Sequence, residues 1–109
     1  MTRIYKQELG MDGQIVVIKD RIKRFLTVQF QPGTGICCWY EADDMADENE
    51  VQIIAVGTGW ELSQEIKDWN YIGTAQDPFG YVWHYYATHF NNNITKNEME
   101  AFFKNKGAK

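Results

Sequence analysis

The sequence predicts a mainly β domain of the α+β class, with about seven short antiparallel strands forming a small sandwich or barrel and one C-terminal helix. Three observations predict it. Residues 1–88 consist of short runs rich in Val, Ile, Thr, Tyr, Phe and Trp, separated by Gly, Asn, Asp and Pro. Leu26, Val28 and Phe30 alternate with Thr27, Gln29 and Gln31, the period of a strand with one buried face. After Asn91-Asn92-Asn93 the period changes, because Met99, Phe102 and Phe103 recur at helical spacing.

In chain order, the candidate strands are residues 3–9, 14–19, 24–31, 36–42, 51–56, 70–76 and 81–88. Between the third and fourth, Gln31-Pro32-Gly33-Thr34-Gly35 has hairpin chemistry, with two glycines able to take positive φ. The fourth and seventh, Ile36-Cys37-Cys38-Trp39-Tyr40 and Tyr81-Val82-Trp83-His84-Tyr85-Tyr86, place large or apolar side chains on both faces. Such strands are covered twice, by core on one side and by the helix, a partner subunit or a ligand on the other. Thr95-Lys96-Asn97-Glu98 is a capping box and Gly107 a helix stop, which sets a helix over residues 94–107. Lys104, Lys106 and Lys109 suit the negative end of its dipole. Residues 1–109 read as a single domain, with residues 1–90 as its β core.

Composition bounds the function. At 44% hydrophobic, 15% aromatic and 24% charged, the chain is too apolar for disorder. A chain of 109 residues buries roughly two-thirds of its surface on folding, enough for a core without staples. No apolar run approaches the ~18 residues of a membrane span, and the first residues lack a signal peptide's apolar stretch, so a cytoplasmic protein with no membrane partner is expected. A net charge of −4 disfavours sequence-independent binding to duplex nucleic acid. Much of the acid lies in residues 41–50, which read as a solvated loop between strands or as a decoy for a basic partner. Cys37 and Cys38 are adjacent, point to opposite faces of a strand and read as free core thiols.

No catalytic constellation stands out. His84 and His89 are the only histidines, there is no Cys-x-x-Cys, and no Gly-x-Ser-x-Gly or Walker loop is present. No enzyme activity, metal or cofactor is therefore expected, and the histidines read as hydrogen-bonded structural groups. Gly57-Thr58-Gly59-Trp60 is more suggestive: glycine N–H groups and a hydroxyl suit an anion, and an indole face suits a base. It also reads as a plain turn, as Gly33-Thr34-Gly35 does. Tyr71, Trp83 and Tyr85 add stacking surfaces, and Arg21, Lys23 and Arg24 add positive charge or else form a solvated turn. The candidate ligand set is Arg24, Gly57, Thr58, Gly59, Trp60, Tyr71, Trp83 and His84.

Ile4-Tyr5-Lys6-x-Glu8-Leu9, Val28-x-Phe30-Gln31, Ile36-Cys37-x-Trp39, Gly57-Thr58-Gly59, Tyr71-Ile72-Gly73-Thr74-x-Gln76 and Val82-Trp83-His84 occur in that order. Over residues 3–86 the chain thereby resembles a family of small phage-encoded domains of unknown function. As a small, soluble, aromatic-rich protein it is also similar to the anti-CBASS sponge proteins. That resemblance implies non-enzymatic capture of cyclic GMP-AMP-type dinucleotides in an oligomeric assembly, a dimer or tetramer, and blockade of CBASS defence. The alternative is a phage protein that binds and inhibits a host protein through the acidic loop and the aromatic strand faces.

Overall fold

Between the apolar Ile18 and Ile22 the chain places Lys19, Asp20 and Arg21, and this polar break decides the architecture. The computed structural model describes residues 1–89, so the helix expected over residues 94–107 lies outside the described residues. The strands are β1 (Thr2–Glu8), β2 (Ile15–Asp20), β3 (Ile22–Gln31), β4 (Gly35–Asp43), β5 (Asn49–Gly57), β6 (Asn70–Gln76) and β7 (Val82–Ala87), with a one-turn helix α1 (Gln64–Lys67) before β6. They form two antiparallel sheets, ordered β1-β4-β3 and β2-β5-β7-β6, which bears out the mainly β reading. The short α1 carried no signal in the sequence analysis; Ser63 caps it by accepting a hydrogen bond from Ile66 N. No described helix is long and apolar enough to cross a membrane.

The two sheets grow from one long hairpin folded across its middle. β3 pairs with β4 from Gln31↔Gly35 back to Ile22↔Ala42, and β2 continues the ladder on β5 from Asp20↔Asn49 to Ile15↔Ile54. The tip is the expected turn, with Thr34 N donating to Gln31 O and Gly33 at φ 85°. At the fold line, Arg21 alone separates β2 from β3, while residues 44–48 loop out between β4 and β5. Arg21 holds both sides of the corner: its carbonyl accepts Asp43 N at 3.0 Å and its guanidinium donates to Ala46 O at 2.7 Å.

The two charge clusters meet here. Arg24 forms a bidentate pair with Glu41, both contacts at 3.0 Å, and Lys19 stands 3.9 Å from Glu48. Asp43 accepts from the Thr2 hydroxyl and lies 3.7 Å from the terminal ammonium. The expected solvated loop over residues 41–50 is thus corrected. Its ends belong to β4 and β5, Asn49 is buried, and much of its charge is met locally. Such exposed pairs contribute little stability each, so their effect is to fix the corner's geometry.

Inward residues of the two sheets share one core. β4 contributes Ile36, Cys38, Tyr40 and Ala42, β5 contributes Val51, Ile53 and Ala55, and β7 contributes Trp83, Tyr85 and Ala87. Both cysteines are free and buried, as expected. Cys38 faces the core, where burial pushes its thiol up to about 12. Cys37 faces outward between Glu8 and Gln29, beneath a 2.7 Å bond from Lys6 Nζ to Gln31 Oε1 that spans the strand. One face assignment changes. The β3–β4 register slips between Phe25 and Thr27, so Phe25 packs on the core and Leu26, bulged out, is 39% exposed.

β3 and β6 close the sandwich along one side. A Cβ on Gly73 would lie 2.8 Å from Val28 Cβ, so only glycine permits this approach. Replacing Gly73 with Ala is expected to destabilise the fold by about 1–3 kcal/mol through overpacking. In urea titrations the double variant Gly73→Ala/Val28→Ala should cost less than the sum of the single changes, since removing the valine methyls relieves the clash.

Candidate functional site

β5 ends at Gly57 because the next two residues reverse the chain. Gly59 takes φ 87°, Trp60 N donates to Gly57 O at 3.1 Å, and the indole folds back over the strand end. A Cβ on Gly57 would sit 2.7 Å from Trp60 Cε2, so the glycine is needed for the indole to lie there. Trp60 meets Trp83 edge-to-face at 5.7 Å between ring centroids, and Tyr81 stands 6.4 Å from Trp83 on its other side. These rings, with Met11, Asp12 and Asp77, line an open cleft of about 790 Å³ at the end of the sandwich. That is the size range of small-ligand clefts.

Asp77 organises the cleft's far wall. Its Oδ2 accepts Trp83 Nε1 at 3.0 Å, and its Oδ1 accepts Phe79 N at 2.9 Å and Tyr81 N at 3.0 Å. The Trp83 indole bond, then the backbone N–H bonds, hold its carboxyl below the ordinary carboxylate range, against the opposing effect of burial. Asp77-Pro78-Phe79-Gly80 has the composition of an Asx turn, the local signal in the sequence for this carboxylate's place.

On the outward face of the four-stranded sheet a polar row runs beside the cleft. Thr58 Oγ1 lies 2.8 Å from His84 Nε2, Thr74 Oγ1 lies 2.9 Å from His84 Nδ1, and the Tyr71 hydroxyl reaches Thr74 Oγ1. Strand geometry produces it. Thr74 stands opposite His84 in the β6–β7 register, and Val56, which pairs with His84, brings the following turn alongside. Three of the motifs singled out in the sequence, Gly57-Thr58-Gly59, Tyr71-Ile72-Gly73-Thr74 and Val82-Trp83-His84, therefore converge on one imidazole. Each ring nitrogen has a hydroxyl partner, and a neutral imidazole satisfies both by donating from one nitrogen and accepting at the other. His89 is likewise engaged, donating from Nε2 to Asp68 O. Among the described residues no group of three or more His, Cys, Asp or Glu is arranged to hold a metal ion.

Of the candidate ligand set, Gly57, Thr58, Gly59, Trp60, Tyr71, Trp83 and His84 come together at this end of the four-stranded sheet. Arg24 does not. It stands on the outward face of the other sheet, paired with Glu41. Tyr85 is buried in the core with its hydroxyl donating to Gly10 O at 2.7 Å, and Trp83 is 8% exposed, so neither offers a free face. The open rings are Trp60, Tyr71 and Tyr81, at 47%, 56% and 65% exposure. Among the described residues, the charged ones lining the cleft are Asp12 and Asp77, with no Lys or Arg.

The profile of a family described as a domain of unknown function, DUF7352, matches residues 1–95. No curated protein and no solved structure matches the chain.

The Asp77 geometry carries a pH prediction. A carboxyl whose folded value lies below its unfolded one contributes stability that is fully present above the unfolded value, near pH 4, and is lost as the pH falls through the folded one. Denaturation midpoints measured from about pH 6 down to pH 2 should therefore fall less steeply for Asp77→Asn than for the parent. The variant should be the less stable protein at neutral pH, since an amide cannot supply all three acceptor contacts.

Proposed function

The chain belongs to the DUF7352 family, and we propose that it is a phage-encoded, non-catalytic binding protein. In this reading it captures a cyclic dinucleotide of the cyclic GMP-AMP type in the host cytoplasm and so blocks CBASS defence. One observation carries the proposal: the three motifs converge on the Thr58–His84–Thr74–Tyr71 row beside a cleft with open aromatic faces. Trp60 and Tyr81 offer stacking surfaces for bases, and the Gly59 N–H offers a hydrogen bond to a ribose or phosphate oxygen. His84 has both nitrogens engaged, which supports binding over acid–base chemistry. With Arg24 on the other sheet, stacking is the main source of affinity, and the phosphates point toward the Thr58–Gly59 turn and solvent.

A second reading, inhibition of a host protein through the acidic loop and the aromatic strand faces, gains a further candidate contact in the apolar outward face, where Ile15 and Val17 are 52% and 48% exposed. Of the contacts first expected for it, the acidic loop is largely occupied by local cations.

A thermal-shift panel of cyclic di- and trinucleotides tests the proposal. Ligand at 100 times its dissociation constant adds ~2.7 kcal/mol, a rise of several degrees for a domain of this size, and mass spectrometry should recover it uncleaved. Trp60→Ala should weaken binding roughly 5- to 150-fold, the value of one lost stack, while Arg24→Ala should leave it unchanged. Absence of any shift across the panel overturns the nucleotide reading. The second reading then predicts that joint neutralisation of Asp43, Asp44, Asp47 and Glu48 leaves host-protein capture dependent on the Ile15–Val17 face.

A further inference from the structure

Among the described residues four strands stand at sheet margins, and β2 alone of these is left bare. β3 and β6 close on each other through Gly73 and Val28, and each carries a bulge. β1 bears Arg3, Lys6 and Glu8 along its length. β2 pairs with β5 in an unbroken register, its run Ile15-Val16-Val17-Ile18 holds no Pro, Gly or charge, and no strand pairs beyond it among the described residues. An apolar, unbulged edge of this kind is a template for another strand, and sheets that leave one open usually blunt it with charge or proline.

The backbone is oriented for pairing. Gln52 turns toward β7, its N–H donating to Thr88 Oγ1 and its carbonyl accepting Thr88 N, both at 2.9 Å. In an antiparallel ladder, a residue exchanges hydrogen bonds with only one of its neighbouring strands, alternating along the chain. Val17, which stands opposite Gln52, therefore turns its own N–H and C=O away from β5, and so do Ile15 and Lys19. The same three side chains lie on the outward face.

We infer that β2 pairs with β2 of a second copy about a two-fold axis through Val17, joining two four-stranded sheets into one continuous sheet. A second copy fits because this register is self-complementary. Val17 meets Val17, and Ile15 meets Lys19, whose aliphatic stem covers the isoleucine while its ammonium stays in water. The segment runs from Asp12 to Lys19, so the antiparallel arrangement brings the cationic end of each copy toward the anionic start of the other. Asp20 falls opposite Gln14 in this register, and its carboxylate is already engaged, accepting from Tyr40 OH and Arg21 N. The inference is independent of the nucleotide reading.

Sedimentation velocity over roughly a hundredfold range of concentration, where mass action reveals a self-association, is the test. The parent chain should pass from monomer to dimer. Val17→Lys and Val17→Glu should each be monomeric, and mixing them should restore a dimer, an outcome that misfolded variants cannot produce. Val17→Pro removes only an N–H that faces outward, so it should give a monomer with the parent's circular dichroism and melting temperature. A parent that stays monomeric throughout, a dimer that persists in Val17→Lys, or a Lys/Glu mixture that fails to associate would overturn the inference.

Discussion

The corner at Arg21 is the constraint on which the rest depends. A hairpin as long as β2–β3 with β4–β5 would, if flat, expose one apolar face along its whole length. Folding it at Arg21 turns the two halves to face each other, so Ile18 and Val51 from one half join Val28, Ile36 and Cys38 from the other in a single core. The corner needs extra chain on its outer strand, and residues 44–48 supply it. The hydrogen bonds from Asp43 N to Arg21 O and from the Arg21 guanidinium to Ala46 O keep the backbone paired through the turn. An unpaired backbone group there would cost as much as a whole surface ion pair gains.

This explains which features were legible in the sequence. Hairpin chemistry at Pro32-Gly33-Thr34-Gly35 and the strand positions followed from local rules, and those rules hold here. The corner did not, because it depends on two segments about twenty residues apart. Basic residues at 19, 21 and 24 and acids over 41–50 each look solvated when read alone. Only the register of β3 on β4 shows that Arg24 stands opposite Glu41. Leu26 was misassigned for a related reason. Alternation predicts faces only while the register is unbroken, and the bulge after Phe25 advances the pattern by one residue.

At the site, the sequence supplied the motifs and the structure supplied their relation. Gly57-Thr58-Gly59 looked like a loop able to receive an anion, yet its threonine is committed to His84 and its first glycine to the Trp60 indole. Arg24 dropped out of the set because strand parity places it on the opposite sheet's outward face, a fact that no local window contains. Asp77 entered for the converse reason: a single acidic residue in a turn acquires its role only when Trp83 Nε1 reaches it across the β6–β7 hairpin.

What remains is the charge of the cleft, and magnitudes decide how it bears on the proposed ligand. A dinucleotide with two phosphates would share the cleft with Asp12 and Asp77 and, among the described residues, with no lining Lys or Arg. Between exposed charges about 4 Å apart in water the repulsion is about 1 kcal/mol, and at physiological salt it is screened further over a Debye length of about 8 Å. A base stacked on an aromatic ring contributes ~1–3 kcal/mol, so two stacks outweigh the repulsion provided the phosphates stay in the solvated mouth. Asp77 weighs less still on such a ligand, because its oxygens already face Trp83 Nε1 and the N–H groups of Phe79 and Tyr81. The geometry thus favours a ligand held by its rings with its charge directed outward, and one whose affinity changes little with salt. A phosphate gripped by arginines would instead lose affinity steeply as salt rises.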